Sequence, residues 1–125
     1  MQKDLALIIE DDPQLSLIYE EAVKAGGYGE VERILDGSAA VERLKEVVPA
    51  LVVLDLNLPN IGGPEILSSI RAQARLWDTR IILTSADARR AGELNDLVDI
   101  VLIKPVQFFT LRDMAARLRP SEFGV

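Results

Sequence analysis

Apolar residues cluster in five short runs along the chain: LALII (5–9), VERIL (31–35), LVVLD (51–55), IILT (81–84) and DIVLI (99–103). Four are nearly continuous, the pattern of strands covered on both faces by helices, whereas VERIL mixes in charge and reads as an edge strand. Between the runs the apolar spacing becomes helical. Leu15, Ile18, Ala22 and Ala25 follow i, i+3, i+7, i+10 up to a Gly26-Gly27 stop, and Val41, Leu44 and Val48 follow a candidate cap at Ser38. Pro64 suits a first helical turn leading into Ile66, Leu67 and Ile70. Phe108, Leu111, Ala115 and Leu118 form the last stripe before Pro120. The fourth helix, within DARRAGELNDLV, is the weakest, because a glycine such as Gly92 costs about 1 kcal/mol against alanine in a helix interior. Strict alternation with short connections requires a parallel sheet with right-handed crossovers. The predicted architecture is an α/β doubly wound, flavodoxin-like sheet of five parallel strands in the order 2-1-3-4-5 with five helices. It predicts one domain over residues 1–119 and a short tail over 120–125.

In such a sheet, ligands bind beyond the carboxyl ends of the strands where the strand order reverses, here between strands one and three. Strand one ends on Glu10-Asp11-Asp12, strand three on Asp55, strand four on Thr84-Ser85 and strand five on Lys104-Pro105. Each feature alone has a plain structural reading: acids cap helices, threonine favours strands, and Lys-Pro makes turns. Their coincidence at four strand ends points to chemistry. Adjacent strands ending in carboxylates repel in a partly desolvated cleft, and a hard divalent cation with oxygen ligands relieves that repulsion. Magnesium suits one or two carboxylates, a backbone carbonyl and a phosphate oxygen, whereas calcium wants more protein oxygens. Lys104 can neutralise a further anion and Thr84 can donate a hydrogen bond. A carboxylate so placed can attack phosphorus and form an aspartyl phosphate.

Composition removes many other chemistries. The 125 residues contain no cysteine and no histidine, which excludes disulfides, thiolate or histidine metal sites, and Ser/His or Cys/His catalytic pairs within this chain. A formal net charge of −6 with scattered basic residues argues against nucleic-acid binding. The apolar runs fall far short of the roughly 20 residues that span a bilayer. The opening MQKDLALII leads into a core strand rather than a cleavable signal, so a cytoplasmic location is expected.

The motifs LALIIEDDP, LVVLDLNLPNIGG, IILTSA and VLIKP, in this order and spacing, resemble those of the receiver domain of two-component response regulators, from about Asp4 to Leu118. DLNLPN is most similar to the corresponding segment of small chemotaxis-type regulators. The resemblance implies that Asp55 is the phosphoacceptor and Thr84 the switch hydroxyl, and that Lys104 pairs with the phosphoryl group. It implies that Glu10, Asp11, Asp55 and the Asn57 backbone carbonyl hold Mg2+, with Asp11 the direct ligand of the acidic pair and Asp12 a capping acid. A cis peptide before Pro105 is implied as well.

The implied function is a stand-alone regulator that takes a phosphoryl group from a histidine kinase or histidine phosphotransfer protein, catalyses its own transfer and dephosphorylation, and signals to a downstream protein. That signal would pass through the face formed by the fourth helix, fifth strand and fifth helix, which also allows a homodimer. The chain departs from the family pattern at Gly62 and Val101. Gly62 replaces the acid before the third-loop glycine and loosens that turn. Val101 replaces the usual Tyr or Phe, and Phe108 and Phe109 read as core or interface residues. Ala86 has no group to orient an attacking water, which implies a longer-lived phosphorylated state. Two alternatives differ in class. A haloacid-dehalogenase-type phosphatase would need a second Asp where Asn57 stands, and a degenerate receiver serving only as a phosphorylation-independent interaction module would not need the complete acid, Asp, Thr and Lys set.

Overall fold

The computed structural model describes residues 1–121. Strands β1 (Gln2–Ile9), β2 (Glu30–Ile34), β3 (Pro49–Asp55), β4 (Arg80–Ser85) and β5 (Ile100–Ile103) alternate with helices α1 (Pro13–Ala25), α2 (Gly37–Glu46), α3 (Gly63–Ala72), α4 (Ala88–Glu93) and α5 (Phe108–Arg117). The strands form one parallel sheet in the order β2-β1-β3-β4-β5, as the alternation predicts.

Successive strand side chains point to opposite faces, so the continuous apolar runs feed two separate core layers. Leu5, Leu7 and Ile9 of β1, Val52 and Leu54 of β3, and Ile81 and Leu83 of β4 pack with Ala40 and Leu44 of α2, Ile66, Leu67 and Ile70 of α3, and Ala91 of α4. Ala6 and Ile8, Leu51 and Val53, and Ile82 pack on the other side with Tyr19, Ala22 and Val23 of α1 and Leu111 and Ala115 of α5. Each fully buried Leu or Ile contributes about 2 kcal/mol of transfer free energy. Every residue of central β3 is buried.

The edges differ from the centre. β2 carries the charge expected of an edge, and Arg43 of α2 clamps it by donating from Nε and Nη2 to the two oxygens of Glu32 at 2.8 Å each. β5, predicted to be covered on both faces, is the second edge and only half-buried. The α4 beside it is six residues long and is followed by a 3-10 turn, Asn95–Leu97.

Three local expectations need correction. The buried stripe of α1 is Ser16, Tyr19, Ala22 and Val23, while Ile18 is 45% exposed and Ala25 is exposed. Two apolar stripes overlap on this helix, and the one carrying Tyr19 and Val23 wins because it places the larger aromatic against the sheet. The cap of α2 is Asp36, whose carboxylate accepts from the Ala39 N–H at 2.9 Å, not Ser38. The helix then ends at Glu46, so Val48 lies beyond it. Gly62 sits at ordinary φ −75°, ψ 162° as the cap of α3, so that turn does not depend on glycine's freedom.

Residues 1–119 were expected to be one domain with a tail from 120, and residues 122–125 of that tail lie outside the described residues. Among the described residues no helix is long and apolar enough to cross a membrane.

Candidate functional site: an acid, hydroxyl and lysine cluster at the strand ends

Parity along the strands decides which side chains meet. Ala6 and Ile8 face α1 and α5, so Glu10, two residues on, continues that face; its N–H still bonds the Ile34 carbonyl at 3.1 Å and keeps it in strand register. Leu51 and Val53 lead in the same way to Asp55, Ile82 to Thr84, and Ile100 and Leu102 to Lys104, whose N–H bonds the Ser85 carbonyl at 2.8 Å. Four strands thus deliver Glu10, Asp55, Thr84 and Lys104 to the crown of one core layer.

Glu10 and Asp55 are almost wholly buried, at 1% and 3% exposed, and Lys104 binds both: its Nζ lies 2.8 Å from Glu10 Oε1 and 3.4 Å from Asp55 Oδ1. The second oxygen of Glu10 accepts from the Asp12 N–H at 3.1 Å. The Asn57 N–H reaches Asp55 Oδ1 at 3.4 Å. Asp12 also caps α1, accepting from the N–H groups of Gln14 and Leu15 at 2.9 and 3.2 Å, the capping role expected for it. Exposed Asp11 joins the cluster, for carboxylate oxygens of Glu10, Asp11 and Asp55 lie within 4.8 Å of one another. Thr84 stands directly across the ladder from Asp55 and is fully buried, yet its Oγ1 has no hydrogen-bond partner among the described residues. Leaving such a buried hydroxyl unsatisfied costs about 1 to 3 kcal/mol. The peptide between Lys104 and Pro105 is cis.

Electrostatics follows from this burial. Burial pushes the Glu10 carboxyl up to about 7, against the opposing pull of Lys104 and the Asp12 N–H. Asp55 is also raised, by burial first, with the Lys104 charge working in the other direction. Burial alone would lower Lys104, but its bond to Glu10 and the charge of Asp55 leave it raised. Two acids that resist ionisation beside each other, with hard oxygen donors only, form a set that a divalent cation such as magnesium fits.

A pH prediction follows. Glu10 titrates at an ordinary 4.5 when unfolded and near 7 when folded, so the folded state holds a proton that the unfolded state has lost between those values. Without metal, stability should therefore fall as pH rises through this window, and thermal melts should show Glu10→Gln flattening the decline. Affinity for Mg2+ should rise over the same window, because the metal needs the ionised carboxylate.

Two neighbouring residues escaped the sequence reading. Arg90 of α4 donates to the Asn57 side-chain oxygen at 3.4 Å across a shallow cleft of about 360 Å³ that Leu58 and Glu65 also line. Nothing local in the sequence signals that reach. Tyr19 fell outside the predicted α1 stripe, although its spacing to Ser16 and Ala22 was available as a second helical face.

Comparison with known proteins agrees with this geometry. The family model described as the response regulator receiver domain matches residues 6–116. The chain is 32% identical over 115 residues to the transcriptional regulatory protein TrcR of Mycobacterium tuberculosis, covering 90% of this chain but 43% of TrcR, so it spans less than half of that relative. It is 31% identical over 131 residues to the probable methanogenesis regulatory protein FilR2 of Methanothrix harundinacea, covering 96% of this chain and 84% of FilR2. The fold is similar to that of the chemotaxis response regulator CheY4 of Vibrio cholerae, with a TM-score of 0.82 at 22% identity over 91% of this chain and 97% of that one. With its strand order, its crowned core layer and this match over most of its length, the chain belongs to the response regulator receiver domain family of two-component systems.

Proposed function

We propose that this domain accepts a phosphoryl group on Asp55 from a phosphohistidine of a kinase or phosphotransfer protein, in a magnesium-dependent reaction in the cytoplasm, and signals through a surface that responds to the modification. The observation that carries the proposal is the convergence of Glu10, Asp11, Asp55, Thr84 and Lys104 at the carboxyl ends of four strands. An Asp55 oxygen forms a bond to phosphorus as the phosphorus–nitrogen bond of the donor breaks, the electron pair returning to the imidazole. Lys104, already 3.4 Å from Asp55, neutralises charge on the transferred oxygens. Thr84 has a hydroxyl free to donate to one of them. Magnesium, held by Glu10, Asp11, Asp55 and the Asn57 backbone carbonyl, would supply further charge stabilisation. Loss of the phosphoryl group follows by attack of water on the same phosphorus.

For the output, the exposed apolar groups of β5 and α5 offer a surface: Ile103 is 42% and Phe109 64% exposed, with Phe109 stacked edge-on to Phe108 and the Arg112 guanidinium 4.7 Å above its ring. A downstream protein or a second copy of the chain could use it.

The test is intact mass after incubation with acetyl phosphate and Mg2+. One phosphoryl group should be gained, and none by Asp55→Asn or in the presence of a chelator. Gain by Asp55→Asn equal to the parent would overturn the assignment. Ala86, exposed just after β4, offers no group to orient water. Ala86→Glu should therefore shorten the lifetime of the phosphorylated state severalfold, followed by decay of the phosphorylated mass.

A further inference from the structure

At the amino ends of the strands, opposite the acid crown, a cavity of about 560 Å³ opens beside the end of α5. Lys3 of β1, Arg80 of β4, Arg117 of α5 and Arg119 just beyond it line the cavity, against one acid, Asp78. Such a concentration runs against the composition, for the chain has 20 acidic and 14 basic residues. With acids in surplus, most cations bond a carboxylate, and Arg75 and Arg90 bond carbonyl or amide oxygens. Among the described residues the charged groups of Lys3, Arg89 and Arg117 have no such partner, and Lys3 and Arg117 both line this cavity. Arg80 and Arg119 are held by Asp99 at 2.9 Å and Asp4 at 3.3 Å, neither of which lines it.

A cleft lined by one sign of charge concentrates ligands of the other. A guanidinium offers paired donors that match phosphate oxygens, and an ammonium adds a point charge. The carboxyl end of a helix ordinarily repels an anion. Here the Ala115 and Ala116 carbonyls are engaged, accepting from the Leu118 and Arg119 N–H groups at 3.2 and 3.3 Å, and Ala115 also accepts from the Tyr28 hydroxyl at 3.0 Å. Buried Ala50 and half-buried Leu118 give the same cavity an apolar surface. Its volume lies within the roughly 300 to 1,000 Å³ of small-molecule sites. We infer that the cavity binds a small organic phosphate: Lys3 and Arg117 turn their unbonded charges on the phosphate, with Arg80 beside them, and the organic body rests on Ala50 and Leu118. The crown does not compete for this ligand in the absence of metal, because Glu10, Asp11 and Asp55 present carboxylates there.

The experiment titrates the full chain with adenosine monophosphate in magnesium-free buffer by calorimetry, with adenosine and inorganic phosphate as comparisons. The nucleotide should bind saturably, adenosine should give no saturable heat, and inorganic phosphate should bind about tenfold more weakly than the nucleotide. Lys3→Ala and Arg117→Ala should each weaken the nucleotide about five- to tenfold at an unchanged melting temperature, since neither charge is bonded in the free domain. Arg89→Ala, which removes an unpartnered cation outside the cavity, and Asp55→Asn should bind as the parent does. Absence of saturable heat at millimolar nucleotide overturns the inference. So does adenosine or inorganic phosphate binding as tightly as the nucleotide. A loss in Arg89→Ala equal to that in Arg117→Ala overturns it by showing diffuse charge rather than a site, and a loss in Asp55→Asn does so by placing the ligand at the crown.

Discussion

Lys104→Met is expected to yield a domain that is weaker without metal yet holds magnesium more tightly. Among the described residues Lys104 is the cation bonded to both buried acids, at 2.8 and 3.4 Å. Without it, Glu10 and Asp55 face each other with no positive charge between them. Breaking a buried pair by removing one partner costs about 3 to 5 kcal/mol, and protonation of the acids recovers part of that near neutral pH. Denaturant unfolding in the presence of a chelator should show a loss of about 2 to 4 kcal/mol. The same deletion removes a charge that repels an incoming cation, so Mg2+ should bind tenfold more tightly or better, about 1.4 kcal/mol. Phosphorylation by acetyl phosphate should nonetheless slow by about 100- to 1,000-fold, because the variant has lost the ammonium that offsets charge on the transferred oxygens. Unchanged Mg2+ affinity would mean that lysine and metal do not share these acids.

Gly37→Ala should be among the most damaging single-methyl changes in the chain. An added Cβ would sit 1.8 Å from the Ile61 carbonyl oxygen and 2.7 Å from its carbon, both main-chain atoms that cannot swing aside. Gly37 also donates its N–H to the Pro59 carbonyl at 3.3 Å, so the start of α2 is pressed against the loop that follows Asp55. Either the helix or the loop must move, at an expected loss of about 3 kcal/mol or more. If the loop yields, phosphorylation slows as well. Gly92→Ala is the control: an added Cβ there meets nothing within 4 Å, and chemical denaturation should show a gain of up to about 1 kcal/mol.

The fold was legible because strand alternation leaves few topologies open, and the site was legible because polar groups interrupt apolar runs at their carboxyl ends. Two-residue parity from Ile8, Val53, Ile82 and Leu102 suffices to place Glu10, Asp55, Thr84 and Lys104 on one face. Helix faces were harder to read. On α1 the stripes through Ile18 and through Tyr19 have similar apolar content, and only the sheet it docks on chooses between them. Asp36 and Ser38 are both competent caps two residues apart, and the helix uses the first of them. The reach of Arg90 to Asn57 is a tertiary fact with no local signature.

Since Glu10, Asp55, Thr84 and Lys104 all extend the layer beneath α1 and α5, the opposite layer under α2, α3 and α4 supplies none of these four side chains. Its members, Leu54, Ile66, Leu83 and Val101 among them, are apolar and bring no ionisable group to the strand ends. An engineer wishing to harden the domain against heat can therefore repack the part of that half between the sheet and the body of α3 with volume-matched side chains without replacing any of the four polar groups.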